Sequence, residues 1–347
     1  MPRMNAAVLH GREDLRVQSL SPRRLAPGEI RVGIEAALTC GTDLKVFRRG
    51  YHARMLVPPS AFGHEFSGTI TEVAEDLGDT WKQGDRVVAA NSAPCGKCAF
   101  CRKNQENLCD DLQFLNGAYA ESIVVPARLV AKNLLVLKAE TSFVDGALTE
   151  PLACVVQGVE DSQLSAGQRC LIVGAGPIGL MFVALARNLG LDVTVAGRGE
   201  ARLQKARLLG AGQVVNVANA PDVAVAVKVV DPVAFDVVIE AVGKPETWEA
   251  GVQLVRKGGL VNFFGGCPSG TEVRLDTGQI HYSNLTLKAS FHHTPRTIRR
   301  ALEYIEAGVI RAADFVDGTC PLSQLPELFR SMAAGNRAVK SLIRVRE

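Results

Sequence analysis

Cys170-Leu171-Ile172-Val173-Gly174-Ala175-Gly176-Pro177-Ile178-Gly179 carries an apolar tetrapeptide into a G-x-G-x-x-G turn, and an uncharged run continues to Ala186. The tetrapeptide predicts a buried strand and the run beyond the turn a buried helix. In such a turn the first glycine permits the tight reversal, the second lets backbone approach a pyrophosphate, and the third lets helix and strand pack closely. The free N–H groups of the helix N-terminus then face the phosphates. Gly174, Gly176, Pro177, Ile178 and Gly179 are therefore candidate dinucleotide-binding residues. The run is not a membrane span: four turn-forming residues interrupt it and it is shorter than the ~20 residues required.

Further strands are expected at 193–196, 214–217, 236–240 and 260–264, with a helix at 202–209 after the first of them. Short apolar strands alternating with helices require crossover connections and a parallel sheet. Residues 151–290 thus predict a doubly wound parallel-sheet α/β domain, whose one biased tract is the Ala/Val-rich 214–230. A tail at 291–347 adds helical patterns at 295–306 and 324–334 and a strand at 341–345. Residues 1–150 differ in texture, with short strands at 30–34, 68–73, 85–88 and 122–125 between Gly/Pro turns. That texture suggests an all-β or barrel-like lobe.

The end of the second strand of the α/β domain selects the cofactor, because NAD sites place an acid there for the ribose 2′-hydroxyl. Here it reads Val195-Ala196-Gly197-Arg198-Gly199, without an acid. Arg198, with Arg202 or Lys205, could hold a 2′-phosphate, which favours NADP; a solvated Arg198 over an undemanding NAD site is the other reading.

The chain has 347 residues, enough for two domains, with 47% apolar and 22% charged residues. Aromatics at 5% beside 33 glycines suggest cores built on Val, Ile, Leu and Ala rather than on rings. A net charge of +3, with no basic run interleaved with aromatics, argues against a nucleic-acid partner. The N-terminal residues lack the apolar core of a signal peptide, so a cytoplasmic protein with no membrane partner is expected. Nine cysteines are present, and four fall within 15 positions, which favours metal over disulfides.

Those four are Cys95, Cys98, Cys101 and Cys109, spaced C-x2-C-x2-C-x7-C. Four thiolates can close tetrahedrally around one zinc and leave no position for chemistry, so the site is expected to be structural. It would pin a polar lobe at about 91–112 that includes Lys97, Arg102, Lys103, Asn104, Gln105, Glu106 and Asn107. Free or disulfide-bonded cysteines and an iron–sulfur cluster are the alternatives. Three further segments carry ligand-type side chains: Cys40-Gly41-Thr42-Asp43, Gly63-His64-Glu65-Phe66 and Glu150-Pro151-Leu152-Ala153-Cys154. A catalytic zinc needs about three protein ligands and one open position, and no one of these segments suffices.

Taken in order, these segments, the four-cysteine lobe, the turn at 174–179 and Gly258-Gly259 resemble the zinc-containing medium-chain dehydrogenase/reductase (alcohol dehydrogenase) family. The likeness spans nearly the whole chain and is strongest to the sorbitol, threonine and polyol dehydrogenase branch. It implies a GroES-like β catalytic domain at 1–150, the Rossmann domain at 151–290, and a C-terminal segment at 291–347 that returns to the catalytic domain. Zinc and nicotinamide would meet between the domains. Cys40 and His64 match two catalytic zinc ligands; Glu150 is favoured as the third, with Glu65 beside it and Cys154 in reserve. Thr42 matches a hydroxyl that relays a proton, and Lys45 stands where many relatives have a histidine. Asn104 occupies a usual glycine position, which asparagine tolerates in left-handed backbone. Gly197 replaces the common NAD-binding aspartate, which again favours NADP.

The resemblance implies hydride transfer between a secondary alcohol and the nicotinamide dinucleotide, with a homo-oligomeric (dimer or tetramer) enzyme. Glu121, Lys45, His292 and His293 suggest a polar cleft for a polyol, sugar or cyclitol. A zinc-free quinone or enone reductase and a non-catalytic NADP-binding sensor are the rival readings on the same fold.

Overall fold

The computed structural model describes residues 3–52, 54–335 and 338–346. The chain divides into two compact units, Met1–Ala153 with His293–Glu347, and Cys154–His292.

The first unit is built on the strand Ile30–Leu38, in which only Glu35 is exposed. Buried at all but that one position, it takes the middle of a sheet that runs Leu134–Val136, Arg86–Ala89, Glu65–Val73, Ile30–Leu38, Lys340–Arg344, Val316–Pro321. Ser122–Val125 also pairs with this central strand. Leu38 stands opposite Glu65 on one side and Leu342 on the other. With these registers, the ends of three strands far apart in sequence meet just where the chain leaves Leu38 for Thr39 and Cys40.

A helix, Gly41–Arg49, begins there. The Cys40 sulfur caps it by accepting the Thr42 N–H at 3.3 Å. Asp43 in the first turn and Arg48 and Arg49 in the last complement the helix dipole. Within the β lobe, this helix breaks the strand series where the ligand-type segment Cys40-Gly41-Thr42-Asp43 lies. The core here is mostly Val, Ile, Leu and Ala, yet rings also meet in it. Phe47, Phe62, Tyr119 and Phe329 pack with centroids 5.4–6.0 Å apart in the core of this unit. Composition counts rings but cannot show that distant ones converge.

The second unit is a six-stranded parallel sheet in the order Gln213–Asn216, Asp192–Gly197, Arg169–Val173, Phe235–Glu240, Val255–Phe263, Thr286–Ala289. The chain starts at a middle strand, moves outward one way, and then crosses to build the other half. The glycine turn leaves the first strand at that switch point, where open α/β sheets bind ligands. The helices are Pro177–Asn188, Glu200–Leu208, Val223–Val230 and Pro245–Leu254, with a shorter one at Thr277–Tyr282. The Ala/Val-rich tract is not featureless. Asp222 caps Val223–Val230 by accepting the N–H groups of Ala224 and Val225, so valines that favour strands by propensity start a helix instead. The last strand of the sheet ends at Ala289.

Candidate active site

In the first unit the ligand atoms of Cys40, His64 and Glu65 lie within 4.8 Å of one another. Strand pairing makes this group: Cys40 follows the central strand and Glu65 begins its neighbour. His64 is buried, and its Nδ1 is 2.8 Å from Asp43 Oδ1. With Nδ1–H committed to the carboxylate, the Nε2 lone pair is available to a metal, the tautomer that a ligand histidine needs. In the metal-free protein, burial opposes charge on His64, yet Asp43 and the Cys40 sulfur raise its pKa well above the ordinary imidazole range.

Glu65 is fully buried, and its Oε2 accepts from Lys340 Nζ, which also donates to Thr39 O at 3.0 Å. Burial pushes the Glu65 carboxyl up, while Glu65 overcomes the burial of Lys340 and holds the ammonium above its usual range. The two groups meet as a buried ion-pair contact, with neither side chain more than 2% exposed. Glu65 Oε1 has no hydrogen-bond partner among the described residues. A buried carboxylate oxygen left bare is costly, and a cation beside it removes that cost. Thiolate, imidazole and carboxylate together form a donor set that suits zinc.

Glu150, at the start of the helix Thr149–Asp161, is buried in the same unit. Burial pushes its carboxyl up to about 7, and its Oε1 lies 3.8 Å from His293 Nε2. Grouping thus puts Glu65 rather than Glu150 with Cys40 and His64. His293 is buried, and its Nε2 donates to Asn91 Oδ1 at 2.9 Å. Cys154 and His292 belong to the second unit. Thr42 is half-buried and Lys45 exposed, three positions apart on Gly41–Arg49 and so on one face of the helix. Glu121 is held by backbone, its N–H donating to Asn5 O and its carbonyl accepting from Ile34.

Asp43, Lys340, Tyr119 and Asn91 were not singled out from the sequence. Asp43 had one signal, its place in Cys40-Gly41-Thr42-Asp43. The others had none, because only strand register and loop closure bring them to the site.

Cys95, Cys98, Cys101 and Cys109 form a second group within 4.8 Å. Sulfur separations within it are 4.0, 3.5 and 3.9 Å. A disulfide would require ~2.0 Å. Four sulfurs ~2.3 Å from one tetrahedral centre stand ~3.8 Å apart, so the spacing fits zinc. The N–H groups of Lys97 and Cys98 point at Cys95 Sγ, and that of Cys95 at Cys109 Sγ. The N–H groups of Cys101 and Asp110 hold the Cys98 thiol down to about 6. Short pairing of Ser92–Ala93 with Gln113–Phe114 closes the lobe, and Asn104 takes the left-handed backbone expected of it, φ 58°.

In the second unit, a Cβ on Gly179 would lie 1.8 Å from Gly174 O, so only glycine allows this helix so close to the strand. A Cβ on Gly176 would meet nothing within 4 Å. Glycine at 176 is thus unexplained by packing and leaves a backbone surface open to a phosphate. Pro177 begins the helix, where its missing N–H costs nothing. Gly197 is sealed: a Cβ there would come within 2.5 Å of Ala175 Cβ. An acid at 197 does not fit this turn. Arg198 is exposed just beyond it, and Arg202 and Lys205 are half-buried on Glu200–Leu208.

Residues 26–135 match the alcohol dehydrogenase GroES-like domain and residues 177–307 the zinc-binding dehydrogenase family. D-altritol 5-dehydrogenase of Agrobacterium fabrum is 34% identical over 316 residues, 88% of this chain and 89% of its own. Sorbitol dehydrogenase of Bacillus subtilis is 26% identical over 348 residues, 98% and 97% of the two chains. A Sinorhizobium meliloti protein crystallised with NADP bound has the same fold, with TM-score 0.89 and 29% identity over 99% of both chains. Two family matches in this order on one chain, together with a relative 34% identical across most of both chains, make this protein a member of the zinc-dependent medium-chain dehydrogenase family, in its polyol dehydrogenase-like branch.

Proposed function

We propose that the protein oxidises a secondary alcohol of a polyol, sugar or cyclitol and passes the hydride to NADP, with a catalytic zinc on Cys40, His64 and Glu65 and a structural zinc on the four-cysteine lobe. One observation carries this reading: a half-buried thiol converges with a buried imidazole and a buried carboxylate, and the carboxylate keeps a bare oxygen, Glu65 Oε1. Relatives that act on altritol and sorbitol support the substrate class. Exposed Arg198, the sealed Gly197 and the NADP-bound neighbour support the cofactor.

Bound zinc would supply a positive charge that lowers the pKa of an alcohol hydroxyl toward neutrality. The nicotinamide ring, when bound, is the hydride acceptor. The protein's own groups do the rest. Asp43 keeps the His64 proton on Nδ1, and Lys340 fixes Glu65 through one oxygen so that the other stays directed away from the pair. Thr42 takes the hydroxyl proton and passes it along the helix face toward exposed Lys45 and solvent. Backbone N–H groups at the start of Pro177–Asn188 would hold the pyrophosphate of the dinucleotide, and Arg198 would hold a 2′-phosphate.

The edge strand Thr286–Ala289, with exposed Tyr282 and Phe291 nearby, supports assembly with further copies of the chain. Nine cysteines, four of them gathered in the metal lobe, suit the cytoplasm. Among the described residues no helix is long and apolar enough to cross a membrane.

A panel of polyols, sugars, amino alcohols and simple alcohols, assayed with NADP and NAD before and after chelation, tests the proposal. Polyol-dependent reduction of NADP that disappears on chelation is expected. Preference for NAD would remove the role given to Arg198. Quinone or enone reduction that survives chelation would overturn the whole reading.

A further inference from the structure

Resting on the reading of Cys40 and His64 as metal ligands, we propose that Tyr119 is a positioning residue for His64, acting through Asp43 and through the backbone of Gly63. Tyr119 is fully buried, and its hydroxyl donates to Asp43 Oδ2 at 2.6 Å. The other carboxylate oxygen of Asp43 is the one 2.8 Å from His64 Nδ1. Both oxygens of one buried carboxylate are thereby committed, one to the phenol and one to the imidazole. Rotation of Asp43 about its last bond would break both contacts, so the phenol holds the orientation that keeps the Nδ1 proton in place.

The ring and backbone of Tyr119 act on the same residue from behind. A Cβ on Gly63 would come within 2.6 Å of the Tyr119 ring, so the chain entering His64 lies directly on that ring, at a left-handed φ of 90°. Tyr119 N–H donates to Phe62 O, and Gly117 and Ala118 N–H both donate to Gly63 O. Main chain and side chain of His64 are thus referenced to one aromatic residue. Phenylalanine would fill the same space among Phe62 and Phe329. What the hydroxyl adds is the grip on Asp43; its contact with a second acceptor, Leu38 O, is longer at 3.1 Å.

The test is zinc release from the holoenzyme into excess chelator, in wild type, Tyr119→Phe and Phe62→Leu. The catalytic-centre phase is identified as the one missing from His64→Ala. Tyr119→Phe is expected to weaken zinc binding at that centre about tenfold, the scale of a lost partner behind a ligand histidine, and to leave the four-cysteine phase unchanged. Phe62→Leu loosens the same aromatic cluster without touching Asp43, and should leave both phases within about twofold of wild type. An unchanged catalytic phase in Tyr119→Phe, or an equal change in Phe62→Leu, would overturn the proposal. A wild-type protein with a single phase that survives His64→Ala would instead overturn the metal centre itself.

Discussion

His64→Ala is expected to lose at least about three orders of magnitude in kcat while the protein stays folded and keeps the zinc of the four-cysteine lobe. Polarisation of a bound oxygen by zinc contributes several kcal/mol to the transition state, and each ~1.4 kcal/mol is tenfold in rate. The substitution removes one of three converging ligand side chains and leaves the Asp43 carboxylate facing a cavity. Zinc content should fall from two per chain to one, read by elemental analysis beside circular dichroism and steady-state kinetics. Turnover within tenfold of wild type would contradict the assignment of His64.

Lys340→Met should cause the largest loss of stability among single substitutions at the site, about 3–5 kcal/mol in urea unfolding of the metal-free protein. The reason is asymmetry. Lys340 and Glu65 are each at most 2% exposed, and removing the ammonium leaves a buried carboxylate without its counter-charge. Attraction within such a pair roughly offsets the desolvation of both ions, so the pair itself is not strongly stabilising. Replacing both partners should therefore cost much less than replacing Lys340 alone, and Glu65→Gln with Lys340→Met is expected to recover most of the loss. If the double variant is no more stable than Lys340→Met, the ion pair is not the source of the effect.

Both predictions concern residues whose legibility in the sequence differs sharply. Four cysteines at C-x2-C-x2-C-x7-C declare a metal lobe because local spacing alone brings the sulfurs together. The glycine turn is similarly local, and strand, reversal and helix all lie within 174–188 and its preceding strand. His64 and Cys40 were visible only through resemblance, since each alone is a common kind of buried residue. Lys340 was invisible. It stands 275 positions from Glu65 and reaches it because Leu342 pairs with Leu38, a register no local pattern encodes.

Tyr119 was hidden for a different reason. In sequence it is one aromatic in a β-rich stretch, and only the convergence of Phe62, Phe329 and Asp43 gives its hydroxyl a task. Glu65 and Glu150 show the limit of spacing arguments. Both are acids next to candidate ligand segments, and the strand pairing that groups Glu65 with Cys40 and His64 is a tertiary fact. Most of the second unit was easier, because repeated strand–helix units tie sequence order to sheet order and short apolar runs mark the strands, the helix Val223–Val230 being the exception.

Zinc-edge anomalous diffraction from crystals of the purified protein tests the central claim most directly. Two peaks per chain are predicted, one enclosed by Cys95, Cys98, Cys101 and Cys109, the other bonded to Cys40 Sγ and His64 Nε2 with a glutamate oxygen. A single peak at the four cysteines, with Cys40 and His64 bare in active enzyme, would contradict it.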